Sequence, residues 1–141
     1  MTTPPEDTVT MLIERAREAA THAYVPYSHF PVGAAVLTAS GEVITGANIE
    51  NASFGLTNCA ERVALQLAAY HGHRDVVAVA VSAPRAAGTT PCGACRQVMN
   101  EFRPESGDMA VILDYFDART VVTLAELLPR SFGPRDLDRA T

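Results

Sequence analysis

The sequence predicts an α/β protein, a three-layer α-β-α sandwich in which helices cover a mixed five-stranded sheet. Three observations predict this fold. An amphipathic helical pattern opens the chain, a β-hairpin pattern follows it, and apolar strands then alternate with helices. Hairpin strands run antiparallel and strands joined by a helical crossover run parallel, so the sheet should be mixed. With 141 residues the chain can build a real core, and we expect one domain over residues 1–141.

The first half of the chain predicts one helix and one hairpin. Early acidic residues and apolar residues at helical spacing predict an amphipathic helix from about Glu6 to Ala23. Pro26 and Pro31 bias the segment after it toward extended backbone. Val32–Thr38 and Val43–Ala47 are predicted as an antiparallel pair because a short turn that contains glycine joins them.

The second half predicts strands that alternate with helices, and we expect these later strands to run parallel through crossovers. The predicted segments are helix Cys59–Tyr70, strand Val76–Ala83, helix Cys92–Phe102, strand Met109–Leu113, a turn over Asp114–Arg119, strand Thr120–Thr123 and a helical turn over Leu124–Leu128. The tail Arg130–Thr141 carries Phe132 and Leu137 in a polar setting.

The composition excludes several classes of function. The chain is 48% hydrophobic and 19% charged, as a globular protein is, and carries a net charge of −5. This acidic balance argues against a surface that follows nucleic-acid phosphates. No stretch approaches the ~20 apolar residues of a membrane span, and the first residues lack the pattern of a signal peptide. Three unpaired cysteines fit a reducing compartment, so we expect a cytoplasmic protein without a nucleic-acid or membrane partner.

All three cysteines lie in two short motifs, Asn58–Arg62 and Pro91–Cys95. Three thiolates can bind a borderline-soft metal such as zinc, and no histidine lies at a usual ligand spacing from them. A structural zinc site is normally closed by four protein ligands, whereas a catalytic site keeps one position for water. The pattern favours a catalytic zinc on Cys59, Cys92 and Cys95 over a structural zinc knuckle or three reduced core cysteines.

Glu61 is the natural companion of an open metal position, since a carboxylate can take the proton of a metal-bound water and deliver it elsewhere. With about 100° of rotation per residue, Glu61 lies about 200° around the helix from Cys59. It is therefore not a second ligand on the same face, although it can reach the site from the first turn. Arg62 can donate hydrogen bonds to a thiolate sulfur, and the two helix N-termini also stabilise thiolates.

Asn48 and Glu50 point to the same side of an extended segment. An amide beside a carboxylate suits the hydroxyl groups of a sugar, because donors and acceptors can be paired. Taken alone, the two residues are better explained as an ordinary polar strand end.

Most of the chain resembles the small three-cysteine cytidine deaminases. A cysteine, a glutamate two residues later and a downstream Pro-Cys-x-x-Cys are typical of zinc deaminases. The segments that carry the resemblance are Tyr24–Ala35, Asn48–Phe54, Cys59–Arg62, Pro91–Val98 and Leu127–Phe132. The resemblance implies the fold of that family, one Zn²⁺ per chain, and a homotetramer. It also implies hydrolysis of cytidine and deoxycytidine to uridine and deoxyuridine, with release of ammonia, in pyrimidine salvage.

By position, the resemblance implies a role for each matching residue. The three cysteines match the zinc ligands, Arg62 matches an arginine that bonds a thiolate, and Glu61 matches the proton shuttle. In that mechanism Glu61 takes a proton from the zinc-bound water, protonates N3 of cytosine and later carries a proton to the leaving amino group, while the zinc-bound hydroxide attacks C4.

Six further positions match residues that meet the substrate, which reverses the ordinary interpretation of Asn48 and Glu50. They are Phe30 on the base, Ala60 at the base edge through its backbone, Asn48 and Glu50 on the ribose 3′-hydroxyl, and Phe54 and Phe132 from neighbouring subunits. One departure is that Phe54 stands where many members have tyrosine, so a hydrogen bond from that hydroxyl is absent.

Two other classes remain open from the sequence. A related deaminase could act on another base-bearing compound such as the antibiotic blasticidin, although Asn48 and Glu50 favour an ordinary nucleoside. The second class is a non-catalytic zinc or RNA-binding module, such as a polynucleotide-editing relative, against which the acidic charge and the missing basic patch argue. The preference between cytidine and deoxycytidine is not encoded in any motif.

Overall fold

The structure is a computed structural model that describes residues 3–105 and 107–138. Five helices, five strands and one 3₁₀ turn are defined in this part of the chain. The helices are α1 Glu6–Ala20, α2 Ala60–Tyr70, α3 Gly93–Glu101, α4 Leu124–Leu127 and α5 Pro134–Asp138; the strands are β1 Gly33–Thr38, β2 Val43–Ala47, β3 Val76–Ser82, β4 Ala110–Asp114 and β5 Arg119–Thr123; the 3₁₀ turn is Phe54–Leu56. None of the described helices has the length and apolar character needed to cross a bilayer.

The five strands form one mixed sheet in the order β2-β1-β3-β4-β5. β3 and β4 run parallel because α3 connects them, and every other neighbouring pair is antiparallel. The expectation that the later strands all run parallel is wrong for β5. Only Tyr115–Ala118 separates β4 from β5, and a parallel return needs a crossover of about a dozen residues or more.

Helices cover both faces of the sheet, which confirms the predicted α-β-α layers. Alternate residues of a strand face opposite sides, and the two cores separate accordingly. In β3, Val79 and Val81 pack with α2 and α3, whereas Ala78 and Ala80 pack with α1. Each fully buried Val, Leu or Ile side chain in these cores contributes about 1.5–3 kcal/mol to folding.

Two features at the open end of the β1–β2 hairpin position the site. α1 ends at Ala20, earlier than predicted, because Tyr24 already pairs with the segment beyond β2. At the same end of the hairpin, Gly46 lets β2 approach α2 closely, since a Cβ there would lie 2.6 Å from the backbone nitrogen of Ala64. The N-terminus of α2 is thereby held against the edge of the sheet.

A polar network ties α1 to the sheet on the opposite face. Asp114 is buried, and its carboxylate accepts hydrogen bonds from Arg17 at 2.7 and 2.9 Å and from the Ser82 hydroxyl at 2.8 Å. Burial raises the pKa of the Asp114 carboxyl, but these bonds and the N–H of Phe116 outweigh it and hold that pKa below its ordinary value. This network fixes α1 on the sheet, so its role is structural.

Candidate active site

The three cysteines meet where the N-termini of α2 and α3 lie side by side. Cys59 is the N-cap of α2 and Cys92 is the N-cap of α3, both with extended backbone, while Cys95 lies in the first turn of α3. Their sulfur atoms all lie within 4.8 Å of one another, and the Sγ atoms of Cys92 and Cys95 are 3.5 Å apart. The packing of two helices thus joins two motifs that are distant in sequence.

This donor set fits zinc. Zn–S bonds of about 2.3 Å in a tetrahedral site place sulfurs about 3.8 Å apart, close to the spacing observed here. Thiolate ligands also select zinc over harder divalent ions such as Mg²⁺ and Ca²⁺, which prefer oxygen ligands. Within residues 3–105 and 107–138, the cluster contains three such side chains, one fewer than a closed structural site requires. A zinc ion held by these three sulfurs would keep one position for water or substrate.

Cys59 is the sulfur most ready to be a thiolate. A hydrogen bond from the Cys95 thiol, followed by Arg62, lowers the pKa of Cys59 to about 5. Arg62 Nη2 lies 3.3 Å from Cys59 Sγ and also donates to the carbonyl of Thr57 at 3.4 Å. The pKa of Cys95 is raised, first by that same shared proton and then by burial. The shared hydrogen bond and Arg62 thus favour the thiolate form of Cys59, and thiol protons leave when a divalent cation binds.

Glu61 is the second residue of α2 and lies in the interior, with 4% of its surface exposed. Burial raises the pKa of its carboxyl, and the nearby Cys59 thiolate raises it further. A carboxyl with a raised pKa holds a proton more readily than a solvated one. Such a group suits general acid–base work beside a metal.

Asn48 ties together the backbone around Phe30. Its Nδ2 donates to the Phe30 carbonyl at 2.9 Å, and its Oδ1 accepts from the Val32 N–H at 2.9 Å. Phe30 follows a residue in left-handed backbone, so no regular strand or helix fixes its position. The amide of Asn48 therefore holds this segment in place.

Glu50 serves the same segment from the other side. Its Oε1 accepts the backbone N–H groups of Tyr27 at 3.0 Å and Ser28 at 3.1 Å. The Ser28 hydroxyl first, and then these two N–H groups, hold the pKa of Glu50 below its ordinary value. Glu50 is therefore an anion whose position is fixed.

Ile49, between these two residues, brings their segment beside the thiol cluster. Its backbone pairs with Tyr24 on one side and with Asn58 on the other, with both Ile49–Asn58 hydrogen bonds at 2.9 Å. Asn58 directly precedes Cys59, and Ala60 follows as the buried first residue of α2. Asn48, Glu50, Ala60 and the cysteines thus belong to one region of the molecule.

Phe54 and Phe132 both present exposed rings in a single copy of the chain. Phe54 is 74% exposed and packs edge-to-face on Tyr27, with ring centroids 5.9 Å apart, while Phe132 is 61% exposed. Cys92 is exposed as well, so the cluster opens to solvent. Two clefts of about 320 and 230 Å³ lie elsewhere, one near the C-terminal ends of α2 and α3 and one beside α1.

Sequence reasoning missed several residues that hold the backbone at or beside predicted site residues. Arg85 donates to the carbonyl of His29 at 2.7 Å across 56 positions, and Gln97 and Asn100 both donate to the carbonyl of Phe132. A backbone carbonyl leaves no trace in the sequence, so no motif could have indicated these partners. The sequence could indicate the role of Arg62, because this residue lies only three positions from Cys59, whose sulfur it contacts.

Known proteins share this chain's sequence and fold over most of its length. The family model described as the cytidine and deoxycytidylate deaminase zinc-binding region matches residues 7–110. A cytidine deaminase of Halalkalibacterium halodurans is 54% identical over 129 residues, 91% of this chain and 96% of that protein. A cytidine deaminase of Mycobacterium tuberculosis is 41% identical over 129 residues, 92% of each chain. The crystal structure of the Burkholderia pseudomallei cytidine deaminase aligns at 44% identity with a TM-score of 0.80, covering 87% of this chain and 98% of that one.

The chain therefore belongs to the zinc-dependent cytidine deaminase family, a family of hydrolases, and Cys59, Cys92 and Cys95 form its zinc site. The resemblance seen in the sequence, the predicted fold and the predicted metal are confirmed. The non-catalytic zinc module that the sequence left open is wrong.

Proposed function

We propose that this site hydrolyses cytidine and deoxycytidine to uridine and deoxyuridine with release of ammonia, as a step of pyrimidine salvage. The observation that carries the proposal is the open cluster of Cys59, Cys92 and Cys95 with a buried glutamate two residues after the first cysteine. An open metal position supplies the attacking oxygen, and a buried carboxyl moves the protons that a deamination requires.

Zinc, when bound, acts as a Lewis acid and lowers the pKa of a water molecule toward about 7. Glu61 accepts one proton from the attacking water and delivers it to N3 of cytosine, so that C4 becomes electrophilic and gains the hydroxyl. Glu61 then takes the proton of that hydroxyl and passes it to the amino group, which leaves as ammonia while the C4 carbonyl forms. Its raised pKa supports this role, because the carboxyl must hold the proton between the two transfers. Arg62 offsets the excess negative charge of three thiolates through its hydrogen bond to Cys59.

The nucleoside is bound by the segments beside α2. Phe30 packs on the base, the backbone of Ala60 meets the base edge, and Asn48 with Glu50 binds the ribose 3′-hydroxyl. The support is that Asn48 and Glu50 both fix the backbone next to Phe30, so sugar and base contacts are set relative to each other.

Other copies of the chain complete the site. We infer a homotetramer in which Phe54 and Phe132 enter the active sites of neighbouring copies. Their exposure in a single copy supports this, since large exposed aromatic rings are typical of interface anchors. We also infer that residues 1–141 act as one catalytic domain, in the cytoplasm, where its three free thiols stay reduced.

The test is the loss of ultraviolet absorbance when purified protein meets cytidine or deoxycytidine, with zinc quantified on the same sample. We expect turnover with about one zinc per chain, its loss on chelation and its return when zinc is added back. Blasticidin is the comparison substrate. A full zinc complement with turnover of blasticidin but of neither nucleoside would overturn the proposed substrate.

A further inference from the structure

The polar side of α3 holds the C-terminal segment of the chain. Three side chains from two turns of this helix donate to backbone carbonyls there. Arg96 Nη1 donates to Leu127 at 2.9 Å, Gln97 Nε2 donates to Phe132 at 2.8 Å, and Asn100 Nδ2 donates to Phe132 at 3.0 Å. The carbonyl of Phe132 thus accepts two amide donors, which occupies both of its lone pairs.

Asn100 is the central residue of this contact. It is 5% exposed, and its Oδ1 accepts the Ser131 hydroxyl at 3.4 Å while its Nδ2 binds Phe132. Gly133 packs against the same amide, because a Cβ there would lie 2.6 Å from Asn100 Nδ2. A buried polar network whose members all have partners rigidifies the backbone it holds.

The fixed backbone contrasts with the free ring of Phe132. The carbonyl is held by two bonds, yet the ring is 61% exposed. An aromatic ring on a rigid backbone loses little conformational entropy when it binds, which is the property of an interface anchor. α3 also carries Cys92 and Cys95 at its other end, so one rigid helix supports a zinc site and Phe132.

We propose that Asn100, assisted by Gln97, is a positioning residue for deamination. It fixes the backbone at Phe132 so that the ring enters the active site of a second copy of this chain at the correct depth. The inference rests on the proposed function, in which Phe132 completes a neighbouring site. According to this inference, the Asn100 amide of one copy affects nucleoside binding in the active site of another copy.

The kinetic test compares Asn100→Ala, Phe132→Ala and the double variant on cytidine. We expect each single variant to raise KM about tenfold with kcat within about twofold, a loss equal to one or two net hydrogen bonds. The double variant should be no worse than Phe132→Ala alone, because the two residues act through one ring. Gln97 is exposed, so the Gln97→Ala variant should fold normally. We expect it to raise KM about threefold.

A spectroscopic test follows the ring directly. The chain contains no tryptophan, so Phe132→Trp places a single indole at this position. We expect its emission at short wavelength in the assembled protein, and a shift to longer wavelength when Asn100→Ala is added. A general loss of folding would instead change zinc content, which is measured on every variant.

Ser82→Ala is the matched control. It removes a buried hydrogen bond on the opposite face of the sheet, so it should lower stability without changing KM. An unchanged KM in Asn100→Ala and Gln97→Ala beside a raised KM in Phe132→Ala would overturn the inference. If Asn100→Ala does not fold, Gln97→Ala decides alone. An unchanged KM in Phe132→Ala would overturn both the inference and the proposed role of Phe132, and leave the zinc chemistry standing.

Discussion

The metal-binding half of the site and the proposed nucleoside-binding half are built in different ways. The metal-binding half consists of Cys59, Cys92 and Cys95 at the first turns of two helices that pack on one face of the sheet. Regular structure sets their positions. The nucleoside-binding half consists of irregular backbone near Phe30, held by the side chains of Asn48 and Glu50.

The difference concerns how many tasks a side chain performs. In the metal-binding half, helix packing positions the ligands, so each cysteine has the single task of binding zinc. In the nucleoside-binding half, Asn48 and Glu50 fix the backbone of another segment and, as we propose, bind the sugar as well. Substitutions in the first half should therefore have large and simple effects, and those in the second half smaller and mixed ones.

The largest effect is expected from removal of a zinc ligand. Cys95→Ser replaces a buried thiolate ligand by a hydroxyl, which zinc binds poorly, so bound zinc and turnover should fall to background. This exceeds the ~10–100-fold loss typical of residues that only contact the ligands. Zinc content and cytidine turnover are measured together. Wild-type protein stripped by a chelator should recover with added zinc, and recovery of the variant would contradict the assignment.

The next effect separates the role of the metal from the proposed role of Glu61 as proton shuttle. Glu61→Gln keeps the size of the side chain and all three ligands, so zinc content should be unchanged. Turnover should fall by about 10²–10⁴-fold, the usual contribution of a positioned acid–base group. Near-normal kcat in a variant with about one zinc per chain would show that another group moves the protons.

The two halves also differ in what the sequence revealed. The cysteines, Glu61 and Arg62 lie in two short motifs, and the packing of α2 against α3 follows from ordinary helix patterning. The bounds of β2 and the start of α1 are as predicted, for the same local reasons. The predicted parallel direction of β5 is wrong because the four residues between β4 and β5 are too few for a crossover.

What the sequence concealed is tertiary hydrogen bonding to backbone. Asn48 alone suggests a polar strand end, and only the positions of Phe30 and Val32 in space show that its amide holds their backbone. The short helix α5 was missed because its polar residues carry no apolar period. The contacts of Asn48 join segments 16 and 18 positions apart in sequence, where no periodic pattern exists.

A substitution at Asn48 tests whether the nucleoside-binding half performs two tasks. Asn48→Ala loses two hydrogen bonds to backbone and should raise KM for cytidine by about 10–100-fold. The decisive comparison uses 3′-deoxycytidine, which lacks the hydroxyl that Asn48 is proposed to bind. If Asn48 also positions Phe30, the variant should still bind this substrate more weakly than wild type does. Equal KM values on 3′-deoxycytidine would reduce Asn48 to a sugar contact.

The smallest effect concerns Arg85, which holds the Phe30 segment from a third direction. Its guanidinium donates to the carbonyl of His29, a residue whose positive φ of 55° is strained for a side chain other than glycine. The bond is exposed, so Arg85→Ala should raise KM by only about two- to fivefold, with zinc content and kcat unchanged. Arg85→Gln retains an N–H donor without the charge and should recover part of the loss. The contrary outcome is that the glutamine and alanine variants show the same increase in KM and that this increase varies with salt concentration. Arg85 would then act through its charge, and Asn48 and Glu50 would be sufficient to hold the segment.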